Sequence, residues 1–264
     1  MSSLRRLYGL VLRQVYTIRR SPPRYFSYAF WPTFQMVTWG FVNKYLYASV
    51  SSITFNFSTL LGAVLIYGIY ERMNINVMMG FLEDTWSRNI GNILITPTRP
   101  LELLGSYVVN GLLAVTIGSG VAWILAYFIF GYSVFTLGIY LLAFLLNLML
   151  SGWCIGFLLI SLILRYGPSG ESFGWMSAYL LSPFLAVYYP VSILPSAMQF
   201  ISWRLPGTYV FEGLREFITT QHFNVQYFED GLLLNLLYLT LAAMTFLHQL
   251  KKARQRGGLL SMGE

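Results

Sequence analysis

Long apolar runs alternate with short polar ones along the chain. Runs of about 20 or more predominantly apolar residues fall near 26–47, 59–81, 103–130, 137–164, 173–194 and 231–250. About 20 such residues are needed to cross the hydrocarbon core of a bilayer as a helix, so the pattern predicts six transmembrane helices. Four of the runs contain no Asp, Glu, Lys or Arg; the exceptions hold Lys44 near the end of the first and Glu71–Arg72 inside the second. Ahead of the first run, Leu4, Leu7, Tyr8, Val11, Val15 and Ile18 share an arc of about 100° at helical periodicity, with Arg6, Arg13 and Arg20 opposite. That is the pattern of an amphipathic helix lying in a membrane interface, its arginines reaching anionic headgroups. Ser21-Pro22-Pro23 ends it and turns the chain into the bilayer.

A dense polar passage, FLEDTWSRNIGNILITPTRP at 81–100, lies between the second and third runs. On a helical wheel Leu82, Trp86, Ile90, Ile93 and Leu94 form one apolar stripe. Glu83, Asp84, Ser87, Arg88 and Asn92 take the other side, and Asp84 and Arg88 stand at the i,i+4 spacing of an acid–base pair. Pro97 and Pro100 stop the helix. The pattern predicts a short amphipathic helix over 81–95, placed as a lever between two spans, with Trp86 as its largest anchor. Within the second run, Glu71 and Asn74 fall on one helical side and Arg72 and Asn76 on another. Adjacent Glu71 and Arg72 point about 100° apart, which disfavours pairing with each other. Charge at mid-bilayer costs at least ~2.5–3.5 kcal/mol, so these four residues are expected to line a wet cavity or to join helices. Gly152 and Gly156, at i,i+4 in the fourth run, permit close helix packing. Pro190, Pro195 and Pro206 break the passage before the last run, which predicts short helices near 196–204 and 209–219 that dip back into the outer leaflet.

Composition sharpens the class. The chain has 264 residues, of which 10% are charged and 56% hydrophobic, against roughly 25% charged in soluble domains. The net charge of +7 could suggest nucleic acid, but ten of the 17 Lys and Arg flank the outermost runs. By the positive-inside rule both ends then face the cytoplasm, which requires an even number of spans. One membrane-embedded unit is expected: 1–25 amphipathic helix, 26–250 six-span bundle, 251–264 basic tail. The single cysteine, Cys154, sits among apolar residues as a small core residue. No G-x-x-x-x-G-K-[ST], G-x-S-x-G or H-E-x-x-H occurs, and His222 and His248 have no neighbouring metal-ligand cluster. The residues supply neither a nucleotide site nor a catalytic or metal constellation.

The passage FLEDTWSRNIGNILITPTRPLELLGSYV resembles the coupling region of the permease subunits of ABC-2-type (type V) ABC exporters. The positions that carry it are Asn89, Ile93, Thr96, Pro97 and Glu102, with Thr96 where Ser is the more usual residue. The basic N-terminal helix, the six runs and the broken outer passage extend the likeness over nearly the whole chain. The resemblance implies an all-α permease with no chemistry of its own, working as a homodimer with two copies of a separate P-loop ATPase that carries ATP and Mg. It implies a bacterial or archaeal plasma membrane and export of a lipid-linked glycan, lipid or drug by alternating access. Leu82, Glu83, Asp84, Trp86, Ser87, Arg88, Asn89 and Asn92 would form the coupling helix, and Glu71, Arg72, Asn74 and Asn76 the cavity lining. The competing expectation is a membrane scaffold on which an ATPase assembles or releases a protein complex. No nucleic-acid partner is expected.

Overall fold

A computed structural model describes residues 3–49 and 57–256, and among them every regular element is helical. In chain order these are α1 (Ser3–Arg19), α2 (Pro22–Ser49), α3 (Phe57–Trp86), α4 (Ile90–Ile95), α5 (Pro100–Phe130), α6 (Tyr140–Tyr166), α7 (Glu171–Leu181), α8 (Ser196–Ser202), α9 (Pro206–Thr220) and α10 (Val225–Gln255). Local chemistry sets several of these ends. Pro100 opens α5, and the Glu102 carboxylate accepts the Arg99 backbone N–H at 2.9 Å. Gly131 closes α5 at φ 66°, a conformation glycine adopts without penalty. The Asn224 side chain caps α10 by accepting from the Tyr227 N–H at 3.1 Å.

Three helices, α5, α6 and α10, are long and apolar enough to cross a membrane by composition alone. The first and second predicted spans are also continuous helices, α2 of 28 residues and α3 of 30. The fifth is not: α7 stops after 11 residues at Leu181. Such a helix reaches about 16 Å, short of a ~30 Å hydrocarbon core, and turns carry the chain on to Pro190. Apolar composition alone did not reveal that break. The two short helices expected in the following passage are α8 and α9. Of these, α9 buries Val210, Phe211, Leu214 and Phe217 against the bundle. The stretch 48–58 between the first two runs, which carries no charge and is read as a loop, lies mostly outside the described residues.

The bundle is built around α3, which is buried on every side from Leu60 to Met78. A helix that is apolar all round must be enclosed, and α2, α5, α6, α7 and α9 enclose it. One half of the core gathers Leu61, Tyr67, Phe144, Phe211 and Phe217; the other gathers Val77, Phe81, Leu82, Ile160 and Phe246. Gly152 and Gly156 do pack internally: a Cβ on Gly152 would stand 2.9 Å from the Tyr70 carbonyl oxygen. Cys154 is buried in the same helix, as its apolar neighbours suggested. Where α2 crosses α5, Gly118 lies against the Tyr28 carbonyl, the oxygen that Pro32, four residues on, has no N–H to bond.

Candidate functional site

The end of the bundle where α3 finishes and α5 begins carries most of the ion pairs. Arg6 donates to both oxygens of Glu102, at 2.9 and 2.7 Å, and Ser3 donates its hydroxyl to the same carboxylate at 2.5 Å. Arg13 grips Asp84 with two nitrogens, one of them at 2.6 Å. Tyr107, buried in α5, adds its hydroxyl to Asp84 at 2.8 Å. Arg24 reaches Glu83 at 3.0 Å. Each base comes from α1 or the first turn of α2, and each acid from the end of α3 or the start of α5. Arg6, with Ser3 and the Arg99 N–H, holds the Glu102 carboxyl well below the usual carboxylate range. Burial pushes the Glu83 carboxyl up, and Arg24 only partly offsets it.

These contacts correct the expected orientation of α1. Arg6 and Arg13 bind carboxylates of the bundle rather than headgroups, while Arg20 stays exposed. The apolar arc is divided: Ile18 is buried against the bundle, while Leu4 and Tyr8 remain exposed.

The expected single helix over 81–95 is also corrected, because α3 ends at Trp86 and α4 begins at Ile90. Arg88 between them takes φ 53°. Its N–H bonds to the Thr85 carbonyl and that of Asn89 to the Asp84 carbonyl, which is a Schellman closure. Arginine stands where glycine or asparagine would have signalled this stop, so the periodicity read straight through it. The helical register that would set Arg88 over Asp84 is therefore lost, and Arg13 and Tyr107 hold that carboxylate. Leu82, Ile90 and Ile93 are buried as the stripe required. Trp86 is not: it is 48% exposed, on the surface of the chain. Ser87, Arg88 and Asn92 are exposed with it. Glu83, Asp84, Ser87 and Asn89 meet Arg13, Gln14 and Arg24 around a groove of about 340 Å³. The sequence reading missed the basic half of this site. Its one signal was that Arg6, Arg13 and Arg24 come from a basic stretch that holds no acid, and that Glu83, Asp84 and Glu102 are the first acids after Glu71.

Midway along α3, Glu71, Arg72, Asn74 and Asn76 are all buried. Gln35 of α2 donates to Glu71 at 2.8 Å, and the Arg72 guanidinium bends back to Glu71 at 3.4 Å. Adjacent positions thus pair, against expectation, because the arginine stem is long enough to cover the angle between them. Asn74 donates to Ser177 of α7 at 3.3 Å, and Asn76 to the Arg72 carbonyl at 2.9 Å. Among the described residues, Arg72 Nε and Asn74 Oδ1 are buried without a hydrogen-bond partner and Glu71 Oε1 has only the ion pair to Arg72, leaving unused bonding capacity in the middle of the bundle.

No curated protein gives a significant match to the chain. The family model described as ABC-2 type transporter matches residues 6–219, which take in α3, the charged end and α9. That match covers most of the sequence, and its helices are those of a multi-pass membrane protein: the chain belongs to the ABC-2 type transporter family, the membrane permease components of ABC transporters.

Proposed function

We propose that the chain is the permease subunit of an ATP-driven exporter that moves an amphiphilic substrate (lipid-linked glycan, lipid or drug) out of the cytoplasm or inner leaflet. The observation that carries this reading is the continuity of α3. One unbroken helix holds the buried Glu71–Arg72 group at mid-length and ends at the exposed Trp86 and the ion-paired Glu83 and Asp84. Force applied to its end is transmitted to its middle, since a packed helix moves as a unit. Leu82, Glu83 and Asp84 fasten the end of α3 to the bundle. Trp86, Ser87, Arg88 and Asn92 offer the docking surface, with Asn89 at the turn. Glu71, Arg72, Asn74 and Asn76 line the substrate path once α2 and α7 part from α3, when their unused donors and acceptors become available.

In this reading two copies of the chain assemble in a bacterial or archaeal plasma membrane with both termini in the cytoplasm. Two copies of a separate P-loop ATPase dock beneath and supply ATP and Mg. Truncating a buried aromatic anchor costs ~2 kcal/mol or more, about a thirtyfold loss of association. Trp86→Ala should therefore detach the ATPase, while Arg88→Ala weakens it mildly and in a salt-dependent way. Co-purification of the ATPase and transport-linked hydrolysis across a salt series test this. Intact association and coupling in Trp86→Ala would reduce the segment to a connector.

A further inference from the structure

The groove between α1 and the end of α3 contains polar groups that the fold leaves unused. Gln14 is 4% exposed, lines the groove, and makes no hydrogen bond to any described residue. The side chain is otherwise enclosed, so its amide opens onto the groove and its bonding capacity is left for a ligand there. Asn89, on the opposite wall, likewise spends no side-chain bond on capping α4. Between them the groove presents charge of both signs side by side: Arg24 at 3.0 Å from Glu83, and Arg13 on Asp84. Glu83 is the under-compensated partner, its carboxyl raised by burial.

We infer that this groove binds the headgroup of a zwitterionic phospholipid, one bearing a phosphodiester and a primary ammonium. The Gln14 and Asn89 amides and the free edge of the Arg24 guanidinium donate to the phosphate oxygens, and Glu83 accepts from the ammonium. A lipid is favoured over a soluble anion for two reasons. An anion alone would meet two carboxylates in the groove, whereas a zwitterion matches both signs. And α1 turns exposed Leu4, Tyr8 and Tyr16 outward, at 78%, 64% and 55% exposure. Such a face belongs in the acyl boundary, which sets the groove beneath α1 at headgroup depth. A volume of about 340 Å³ is within the range of small-molecule sites. The bound headgroup would tie α1 to the α3 turn, so the lipid composition of the leaflet would set how firmly the charged end is held. The inference uses the membrane placement of α1 and is independent of export.

The test is thermal unfolding of the purified chain in detergent, followed by tryptophan fluorescence. The probes are dihexanoyl phosphatidylethanolamine, dihexanoyl phosphatidylglycerol, dihexanoyl phosphatidylcholine and inorganic phosphate. The ethanolamine lipid should raise Tm saturably, on the order of 5–10 °C at a hundredfold excess over Kd. The glycerol lipid and phosphate lack the ammonium, and the choline lipid lacks its N–H donors; each should give less than half that rise. Gln14→Leu should abolish the increment while leaving the lipid-free Tm near wild type, since the Gln14 side chain bonds no described residue. Asn89→Ala, at the turn, should do the same and stands independently if the first variant folds poorly. Equal rises with all three lipids would mean general solvation. An equal rise with inorganic phosphate would mean a free-anion site. Either result, or an undiminished increment in both variants, overturns the inference.

Discussion

Replacing Asp84 separates its two partners. Its side chain is 7% exposed and that of Arg13 29%. Exposed ion pairs contribute ~0–1 kcal/mol, while removing one member of a fully buried pair costs ~3–5 kcal/mol. With one partner enclosed and the other partly wet, Asp84→Asn should cost about 2 kcal/mol. Asparagine still accepts the Tyr107 hydroxyl. Asp84→Ala does not, and it strands a hydroxyl on a residue that is 0% exposed, adding about 1–3 kcal/mol. At about 2–4 °C per kcal/mol for a chain of this size, Asp84→Asn should melt roughly 4–8 °C lower than wild type in detergent, and Asp84→Ala about twice as far below. Arg13→Met should fall near Asp84→Asn. The double variant Arg13→Met/Asp84→Asn should recover about 1–2 kcal/mol of the summed loss, because neither unpaired charge remains. If the two single costs add within ~0.5 kcal/mol, the pair is a solvated contact and the electrostatic account of the charged end is wrong.

Other outcomes follow from separate features. Gly152→Ala places a methyl 2.9 Å from the Tyr70 carbonyl oxygen and should cost ~1–3 kcal/mol by overpacking. Gly120→Ala, with open space around it in the same bundle, should gain up to ~1 kcal/mol in the same melt. Glu102 ionises below its usual range when folded, so its stabilisation is complete above the ordinary carboxylate pKa and declines as pH falls through the folded value. Amide hydrogen-exchange protection of α1 should thus persist at pH 5 and weaken on further acidification, and Glu102→Gln should reduce that pH dependence. Arg72→Met removes a buried charge and should ease insertion while lowering transport. Normal transport with normal expression would make Glu71 and Arg72 fixed contacts between helices.

What the chain's pattern could and could not reveal follows from how far each signal reaches. Runs of apolar residues located α2, α3, α5, α6 and α10, because burial in lipid or core demands length and nothing finer. The same signal overran α7: Ser182-Pro183 directly after Leu181 marks the stop, but a run of apolar residues carries no weight for it. Helical periodicity placed Leu82, Ile90 and Ile93 on a buried face but passed over the αL residue at Arg88, where the break carries no glycine. Contacts between distant segments were the least legible. Nothing in local spacing joins Arg13 to Asp84 or Arg6 to Glu102. The exposure of Trp86 was equally hidden, as tryptophan in an apolar stripe reads as an anchor whichever surface it meets. Glu71 and Arg72 stood out in the sequence as charges inside an apolar run and are buried, while their mutual pairing escaped, because side-chain reach is absent from a wheel.

The pairs at the charged end also impose an order on biogenesis. No Asp or Glu occurs among residues 1–70. Arg6 and Glu102 lie 96 positions apart, and Arg13 and Asp84 lie 71 apart. At about 5–20 residues per second, the ribosome delivers these carboxylates roughly 4–20 s after the arginines. In the proposed topology, with the N-terminus in the cytoplasm, the basic arm has only the anionic lipid surface to neutralise it during that interval, which holds it there while α2 and α3 insert. When residues 83–102 emerge, Glu83, Asp84 and Glu102 take over the arginines from the lipid. The charges that first orient the nascent chain thus become the clasp of the finished one. Any variant that supplies an acid early, within residues 1–70, would let the arm pair before its topology is decided.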